Sequence, residues 1–331
     1  GLEKWQKELL NEIRRGLVHN ERVRQYNLRL KNNEDVSEFY DAYTGEIDIS
    51  KMIKESIECA VVSGHGIGKS SLIAIILLFF MSCSPNIRGV VTASTKEQIF
   101  KRTWPDLQKW HNVLINKHWF TVTKDSIFFN QFTDENNKKN YMITAETVSK
   151  DKTEAIAGLH NAAGRILIIF DEASGIDDKI WEVLEGAKTD GEVIFLAFGN
   201  PTRTDGMFRE CFRKNKKYYF TMQIDSRSVS FTDKVQLQKI IDKFGPDSEV
   251  AKVRVYGQFP DQAFDGFIKE SIFEQCVQNK YYYAPTDALV LGMDIAGSGE
   301  DSTVLYLRSG KNGNIEMLEI NQTEPIDIAT I

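Results

Sequence analysis

Ala60-Val61-Val62-Ser63-Gly64-His65-Gly66-Ile67-Gly68-Lys69-Ser70-Ser71 is the stretch on which the reading of this chain turns. A short apolar run enters a turn with glycine at 64, 66 and 68, and Lys-Ser-Ser then opens an apolar helical segment. A buried strand, such a turn and a helix start together make an anion site out of main-chain amides. Glycines let N–H groups turn inward where side chains would obstruct them, and the helix N-terminus adds partial positive charge. In that arrangement Ser63, Gly64, His65, Gly66, Ile67, Gly68, Lys69, Ser70 and Ser71 surround the phosphates of ATP. Lys69 reaches the β- and γ-phosphates, and the Ser70 hydroxyl ligates Mg²⁺. His65 reads as a tolerated side chain rather than a catalyst. The pattern G-x-x-x-x-G-K-[ST] departs at its first position, where Ser63 stands in place of glycine. Gly-Lys-Ser alone proves little, so the strand before and the helix after carry the reading. The alternative is a glycine-rich turn joining a strand to a core helix.

Further along, Arg165-Ile166-Leu167-Ile168-Ile169-Phe170-Asp171-Glu172-Ala173 is an apolar run ending in two acids. Burial explains the β-branched residues but not two carboxylates at the carboxyl edge, where open α/β sheets bind ligands. Asp171 is expected to hold Mg²⁺ through water as the acidic partner of Ser70, and Glu172 to orient and deprotonate an attacking water. A third apolar run, Val193–Phe198, leads into Gly199-Asn200-Pro201-Thr202. Asn200 and Thr202 are candidates for touching the γ-phosphate or the water, although Gly-Asn-Pro is also simply a good turn.

Working outward, four continuous apolar runs read as strands covered on both faces: Cys59–Ser63, Gly89–Ala93, Ile166–Phe170 and Val193–Phe198. Alternating with helical patterns, they imply an α/β domain with a mainly parallel sheet. Residues 119–130 and 140–147 suggest a hairpin or small inserted sheet. Residues 3–15 form an amphipathic helix with Trp5, Leu9 and Ile13 on one face, whereas 20–50 read as polar and irregular, with short helices as the alternative. After Gly257-Gln258-Phe259-Pro260 comes a linker-like stretch, then strands at Leu289–Asp294, Thr303–Leu307 and Ile315–Ile320, an antiparallel meander. The expected division is 1–260, a linker over 261–287, and 288–331 as a second domain that stops before closing a core. Gly1 in place of methionine suggests a trimmed or engineered start.

Composition limits the alternatives. The 331 residues are 42% hydrophobic and 27% charged, enough for a sizeable core. The net charge of −6 supplies no whole-chain basic surface, so any nucleic-acid contact must be local or shared between subunits. Cys59, Cys83, Cys211 and Cys276 lack C-x-x-C spacing, against a zinc site or a disulfide scaffold and in keeping with a reduced compartment. The apolar run Leu72–Met81 is too short to span a bilayer, and no membrane association is expected.

The chain resembles the large terminase subunit of tailed bacteriophages over roughly Trp5 to Thr303. The resemblance is carried by Trp5-Gln6, Ser63–Ser71, Thr95-Lys96-Glu97-Gln98, Gly158-Leu159-His160 before Asp171-Glu172, Gly199–Thr202, Gly257–Pro260 and Gly292-Met293-Asp294-Ile295-Ala296-Gly297. It implies a P-loop ATPase of the additional-strand, catalytic-glutamate class, with Gln6 reading the adenine. It implies a homo-oligomeric ring at the capsid portal that translocates double-stranded DNA into a procapsid, working with a small terminase subunit in the host cytoplasm. The family completes the site with an arginine; Arg102 is the candidate, with an ordinary solvated helix face as the alternative. The meander at 288–331 looks like the start of a ribonuclease-H-like nuclease using two divalent metals, Mg²⁺ or Mn²⁺. Asp294 would be its first ligand and Asp301 a weaker one, with the remaining acids beyond Ile331, so that this chain should not cut DNA.

Two other classes stay open from the residues alone: a helicase-like or other P-loop ATPase acting on nucleic acid, and a nucleotide-gated assembly protein. Basic and aromatic residues from Arg209 to Tyr219 read as an exposed hairpin, with DNA contact as the lesser alternative. His111 and His118 lack a partner at ligand spacing, and Tyr281–Tyr283 read as packing at the domain junction.

Overall fold

A computed structural model describes residues 1–39, 56–132, 138–147, 164–188, 191–261, 288–295, 303–309 and 312–320, with isolated positions at 134, 272, 275 and 286. The chain divides into two compact units, Gly1–Phe267 and Ile268–Ile331. Among the described residues no helix is long and apolar enough to cross a membrane.

The first unit opens with α1 (Lys4–Lys31) and then alternates β1 (Ile57–Ser63), α2 (Lys69–Cys83), β2 (Arg88–Ala93) and α3 (Trp104–Val113). A helical turn and a π-turn, Lys96–Gln98 and Ile99–Thr103, lead into α3. There follow β3 (Phe120–Val122), β4 (Ser126–Phe129), β5 (Met142–Thr147), β6 (Arg165–Phe170), α4 (Asp178–Ala187), β7 (Glu192–Gly199), β8 (Phe220–Ile224) and α5 (Lys234–Phe244). The eight strands form one sheet in the order β3-β4-β5-β2-β6-β7-β1-β8. From β5 to β8 every pairing is parallel, and the β3–β4 and β4–β5 pairings are antiparallel, so that β4 alone runs against the other strands. Strand β7 lies between β1 and β6, so an additional strand separates the glycine loop from the acid pair.

The four buried strands stand where their apolar runs predict. Successive residues face opposite sides: Val61, Val91, Leu167, Ile169 and Leu196 join the core under α1, α2 and α3. Ala60, Val90, Ile168 and Phe195 join a second core against α4. There the rings of Phe170, Trp181 and Phe195 meet edge-on at 4.9–5.4 Å.

Three expectations are corrected. Helix α1 continues through residues 20–31 instead of ending near 15, because its buried stripe runs on through Gly16, Asn20 and Val23. Two of those residues are not apolar, which hides the period: Gly16 lets α1 lie against Ile57, and Asn20 donates to the buried Glu192 carboxylate at 3.2 Å. The inserted sheet is not separate, since β5 pairs in parallel with β2 and carries the β3–β4 hairpin as an extension of the main sheet. The basic-aromatic segment is no hairpin. It is a short helix (Met207–Glu210) and turns that lead into the parallel edge strand β8.

The second unit contains β9 (Leu289–Asp294), β10 (Thr303–Ser309) and β11 (Asn312–Ile320), paired antiparallel in the order β11-β10-β9 as the meander reading expects. Gly158–His160, Cys276, Tyr281–Tyr283 and Asp301 lie outside the described residues.

Candidate nucleotide site

Because β1, β6, β7 and β8 run parallel in near register, their carboxyl ends form one edge, and Ser63, the glycine loop, Asp171, Glu172 and Asn200 collect there. Ser63 ends β1 next to Gly199 at the end of β7, and Asp171 follows β6 on the far side of β7.

The glycine loop is fixed mostly by main-chain bonds. The Gly64 N–H donates to the Ile224 carbonyl at 3.1 Å and the His65 N–H to the Arg254 carbonyl at 2.8 Å. The buried Ser226 hydroxyl donates to the His65 carbonyl at 2.8 Å. Gly66 and Gly68 take φ of 75° and 83°, left-handed backbone that favours glycine. Gly64 is glycine for space: a Cβ there would meet the Val255 carbonyl oxygen at 2.5 Å. With the amides of Gly64 and His65 paired inside the protein, those from Gly66 into the first turn of α2 are left for an anion. The first N–H groups of a helix lack partners in the helix, and the Gly68 N-cap offers no side chain to them.

Lys69 is 9% exposed, and its ammonium donates to Ser63 Oγ at 3.2 Å and Asn200 Oδ1 at 3.1 Å. Asn200 in turn donates from Nδ2 to the Ser63 carbonyl at 2.6 Å, so β7 braces both the lysine and the end of β1. Burial pulls the Lys69 pKa down, opposed by the charges of Glu172 and Asp171. Ser174 ties the two strand ends further, donating to the Asn200 carbonyl at 2.7 Å and meeting the Thr202 hydroxyl at 3.0 Å. Ser71 donates to Asp106 on α3 at 3.0 Å.

Asp171 is 4% exposed. Its Oδ2 accepts the buried Thr103 hydroxyl at 2.5 Å, and its Oδ1 accepts the Glu172 N–H at 3.0 Å. Burial raises its pKa, and the like charge of Glu172 adds to the rise. The Thr103 hydrogen bond and Lys69 work the other way. Glu172 holds a left-handed backbone, φ 52° and ψ 49°, a conformation that costs a non-glycine residue about 1–2 kcal/mol. Its carboxylate lies 4.0 Å from the guanidinium of Arg102, whose side chain is 69% exposed. Among the described residues neither Lys69 nor Asp171 belongs to an ion pair, and the cations of Lys69 and Arg102 stand against the carboxylates of Asp171 and Glu172. With the Ser70 hydroxyl on the adjoining helix start, these are hard oxygen donors of the kind magnesium takes.

Gln6 is 6% exposed at the start of α1. A Cβ on Gly68 would stand 3.6 Å from Gln6 Nε2, which places this amide beside the glycine loop. Sequence reading missed Thr103, Ser226, Arg254 and Phe231, all brought to the edge by contacts between distant segments. Asp294 stands exposed at the end of β9, paired with Val304. Among the described residues no three His, Cys, Asp or Glu side chains gather to hold a metal.

No family model matches the chain. A curated protein, the probable terminase large subunit of Enterobacteria phage P7, is 28% identical over 287 residues, 81% of this chain and 56% of that protein. The chain thus spans little more than half the length of that relative. Among solved structures, the large terminase of a thermophilic bacteriophage is similar with a TM-score of 0.48 and 10% identity, covering 84% of this chain and 66% of that one. The HK97 bacteriophage large terminase is similar with a TM-score of 0.47 and 16% identity, covering 87% and 64%. The chain thus has a mainly parallel eight-stranded α/β fold and is similar in sequence to a probable phage terminase large subunit.

Proposed function

We propose that the first unit is the ATP-hydrolysing motor of a viral DNA-packaging terminase. One observation carries the reading: Lys69 is buried at the carboxyl edge and held by neutral partners, within the field of Asp171 and Glu172. A buried cation beside a ring of amides suits a triphosphate, and two acids across the same edge suit its hydrolysis.

In this reading the triphosphate lies along the amides from Gly66 to Ser71, with Lys69 on its β- and γ-phosphates. Ser70, and Asp171 through water, would hold Mg²⁺, which would supply positive charge to the phosphates. Glu172 takes the proton from water as it attacks the γ-phosphorus in line with the departing ADP. Asn200 and Thr202, bonded to Lys69 and to Ser174, sense loss of the γ-phosphate. Arg102 supports the developing charge from the solvent side, and Gln6 reads the base.

The wider assignment follows the P7 relative. The chain would act as a ring at the portal, with the small terminase subunit, driving double-stranded DNA into a procapsid in the host cytoplasm. Residues 1–260 would be the motor, 261–287 a connecting segment, and 288–331 the opening of a ribonuclease-H-like nuclease whose two metals need Asp294, Asp301 and further acids.

Steady-state ATP hydrolysis with Mg²⁺, measured alone and with double-stranded DNA and procapsids, tests both levels. Glu172→Gln should lower turnover by about a hundredfold or more while ATP affinity stays within a few-fold. Near-normal turnover in that variant removes Glu172 as base. Stimulation by single-stranded DNA and none by procapsids would replace packaging with helicase-like work.

A further inference from the structure

Phe231 is a large apolar side chain left 57% exposed, beside the glycine loop. A Cβ on Gly68 would stand 2.9 Å from its Cζ and 3.6 Å from Gln6 Nε2, so the ring edge and the Gln6 amide flank the same turn. Both line a cavity of about 960 Å³ that also reaches Ser71 and runs along α2 past Leu78 and Phe79. A triphosphate on the amides from Gly66 to Ser71 would have this largely apolar cavity beside it for its sugar and base.

The ring is presented on a braced loop. Val229 is 1% exposed and anchors the loop in the main core. The Thr232 hydroxyl donates to the carbonyls of Ser226 at 2.6 Å and Val229 at 3.0 Å. The Lys234 ammonium also donates to the Val229 carbonyl. The neighbouring Ser230 hydroxyl donates to the Glu3 carboxylate, latching the loop to the start of α1. Glu3 in turn donates its N–H to Gln6 Oε1 at 2.9 Å. That bond fixes the orientation of the amide and leaves Nε2 as its free donor. An exposed ring held this firmly, with a free amide donor next to it, is the combination that a flat heteroaromatic ring with acceptor nitrogens satisfies.

We infer that Phe231 is the stacking platform for the base of the bound nucleoside triphosphate, with Gln6 Nε2 donating to the edge of that base. The inference rests on the nucleotide reading of the loop and extends it to a residue of this chain with no part in holding phosphate. Isothermal titration of the whole chain with Mg-ATP and with magnesium tripolyphosphate, which lacks a base, separates the two. Phe231→Ala should weaken ATP binding by about tenfold or more and leave tripolyphosphate unchanged, whereas Phe231→Trp should keep ATP affinity. ATP affinity within about twofold of the parent in Phe231→Ala, or equal losses for both ligands, would overturn the platform while leaving the phosphate loop standing. If the unsubstituted chain bound neither ligand, the nucleotide reading itself would fall, and this inference with it.

Discussion

The two rims of the nucleotide edge are built on opposite principles. The glycine loop is held from behind by neutral main-chain contacts: Gly64 and His65 donate to carbonyls of Ile224 and Arg254, and Ser226 caps the His65 carbonyl. The acid rim holds unfavourable features. Asp171 is a buried carboxylate beside a second acid, and Glu172 sits in left-handed backbone. One rim is shaped by main-chain bonds, while the other holds a carboxylate whose charge burial disfavours. Preorganised amides suit binding, and stored charge and strain suit turnover.

Lys69 is bonded on the loop side and lies within the field of Asp171 and Glu172, and its removal is the harshest test of the contrast. Lys69→Ala is expected to lower single-turnover ATP hydrolysis by about a hundredfold or more, since it deletes the buried cation that the proposed site sets against the phosphates. Arg102, 69% exposed and 4.0 Å from Glu172, should matter far less: Arg102→Ala is expected to cost about tenfold. Equal losses from the two variants would mean that the buried lysine is a structural brace for Ser63 and Asn200 and no more.

The loop rim can be attacked from behind without touching a phosphate. Gly257 has φ of 63°, and a Cβ there would lie 2.7 Å from Gly64 N, Ser63 C and Ile224 O, all main-chain atoms that cannot swing away. Gly66 has φ of 75° but no neighbour within 4 Å of an added Cβ. Gly257→Ala is therefore expected to destabilise the first unit by about 2–4 kcal/mol, combining steric overlap with backbone strain. Gly66→Ala should cost only about 1–2 kcal/mol from backbone strain. Denaturant midpoints for the two variants check the difference. A Gly257→Ala protein as stable as the parent would show that the loop is not clamped from that side.

That difference also explains what could be read from the sequence. The glycine loop and the Asp171-Glu172 pair are local signals, each contained within about a dozen residues of continuous chain. The buried strands were legible because residues covered on both faces must be continuously apolar. Strand β8 was not, because Phe220-Thr221-Met222-Gln223-Ile224 borders the sheet with Gln223 exposed and follows a basic stretch that resembles a turn. The second half of α1 was hidden by glycine and asparagine at buried positions. The clamps behind the loop were invisible for a further reason. Ser226, Arg254 and Thr103 act through contacts with segments far away in sequence, and the carbonyls of Ile224 and Arg254 are atoms that every residue possesses.

The smallest expected effect concerns the acid rim and has the sharpest sign. Burial raises the folded pKa of Asp171 above its ordinary value, so the ionised form costs the folded state more than the unfolded one. Folding stability is therefore reduced above the raised pKa and recovers as pH falls through it towards the usual aspartate range. Asp171→Asn removes that charge. Its amide oxygen can accept the Glu172 N–H, and its amide nitrogen can donate to Thr103, whose hydroxyl then rotates to accept. In metal-free buffer at neutral pH the variant should unfold a few degrees higher than the parent, a gain on the order of 1 kcal/mol. The gap should close as pH is lowered towards about 4. A variant less stable than the parent at neutral pH would mean that Lys69 already compensates the carboxylate, and that the acid rim is as settled as the loop it faces.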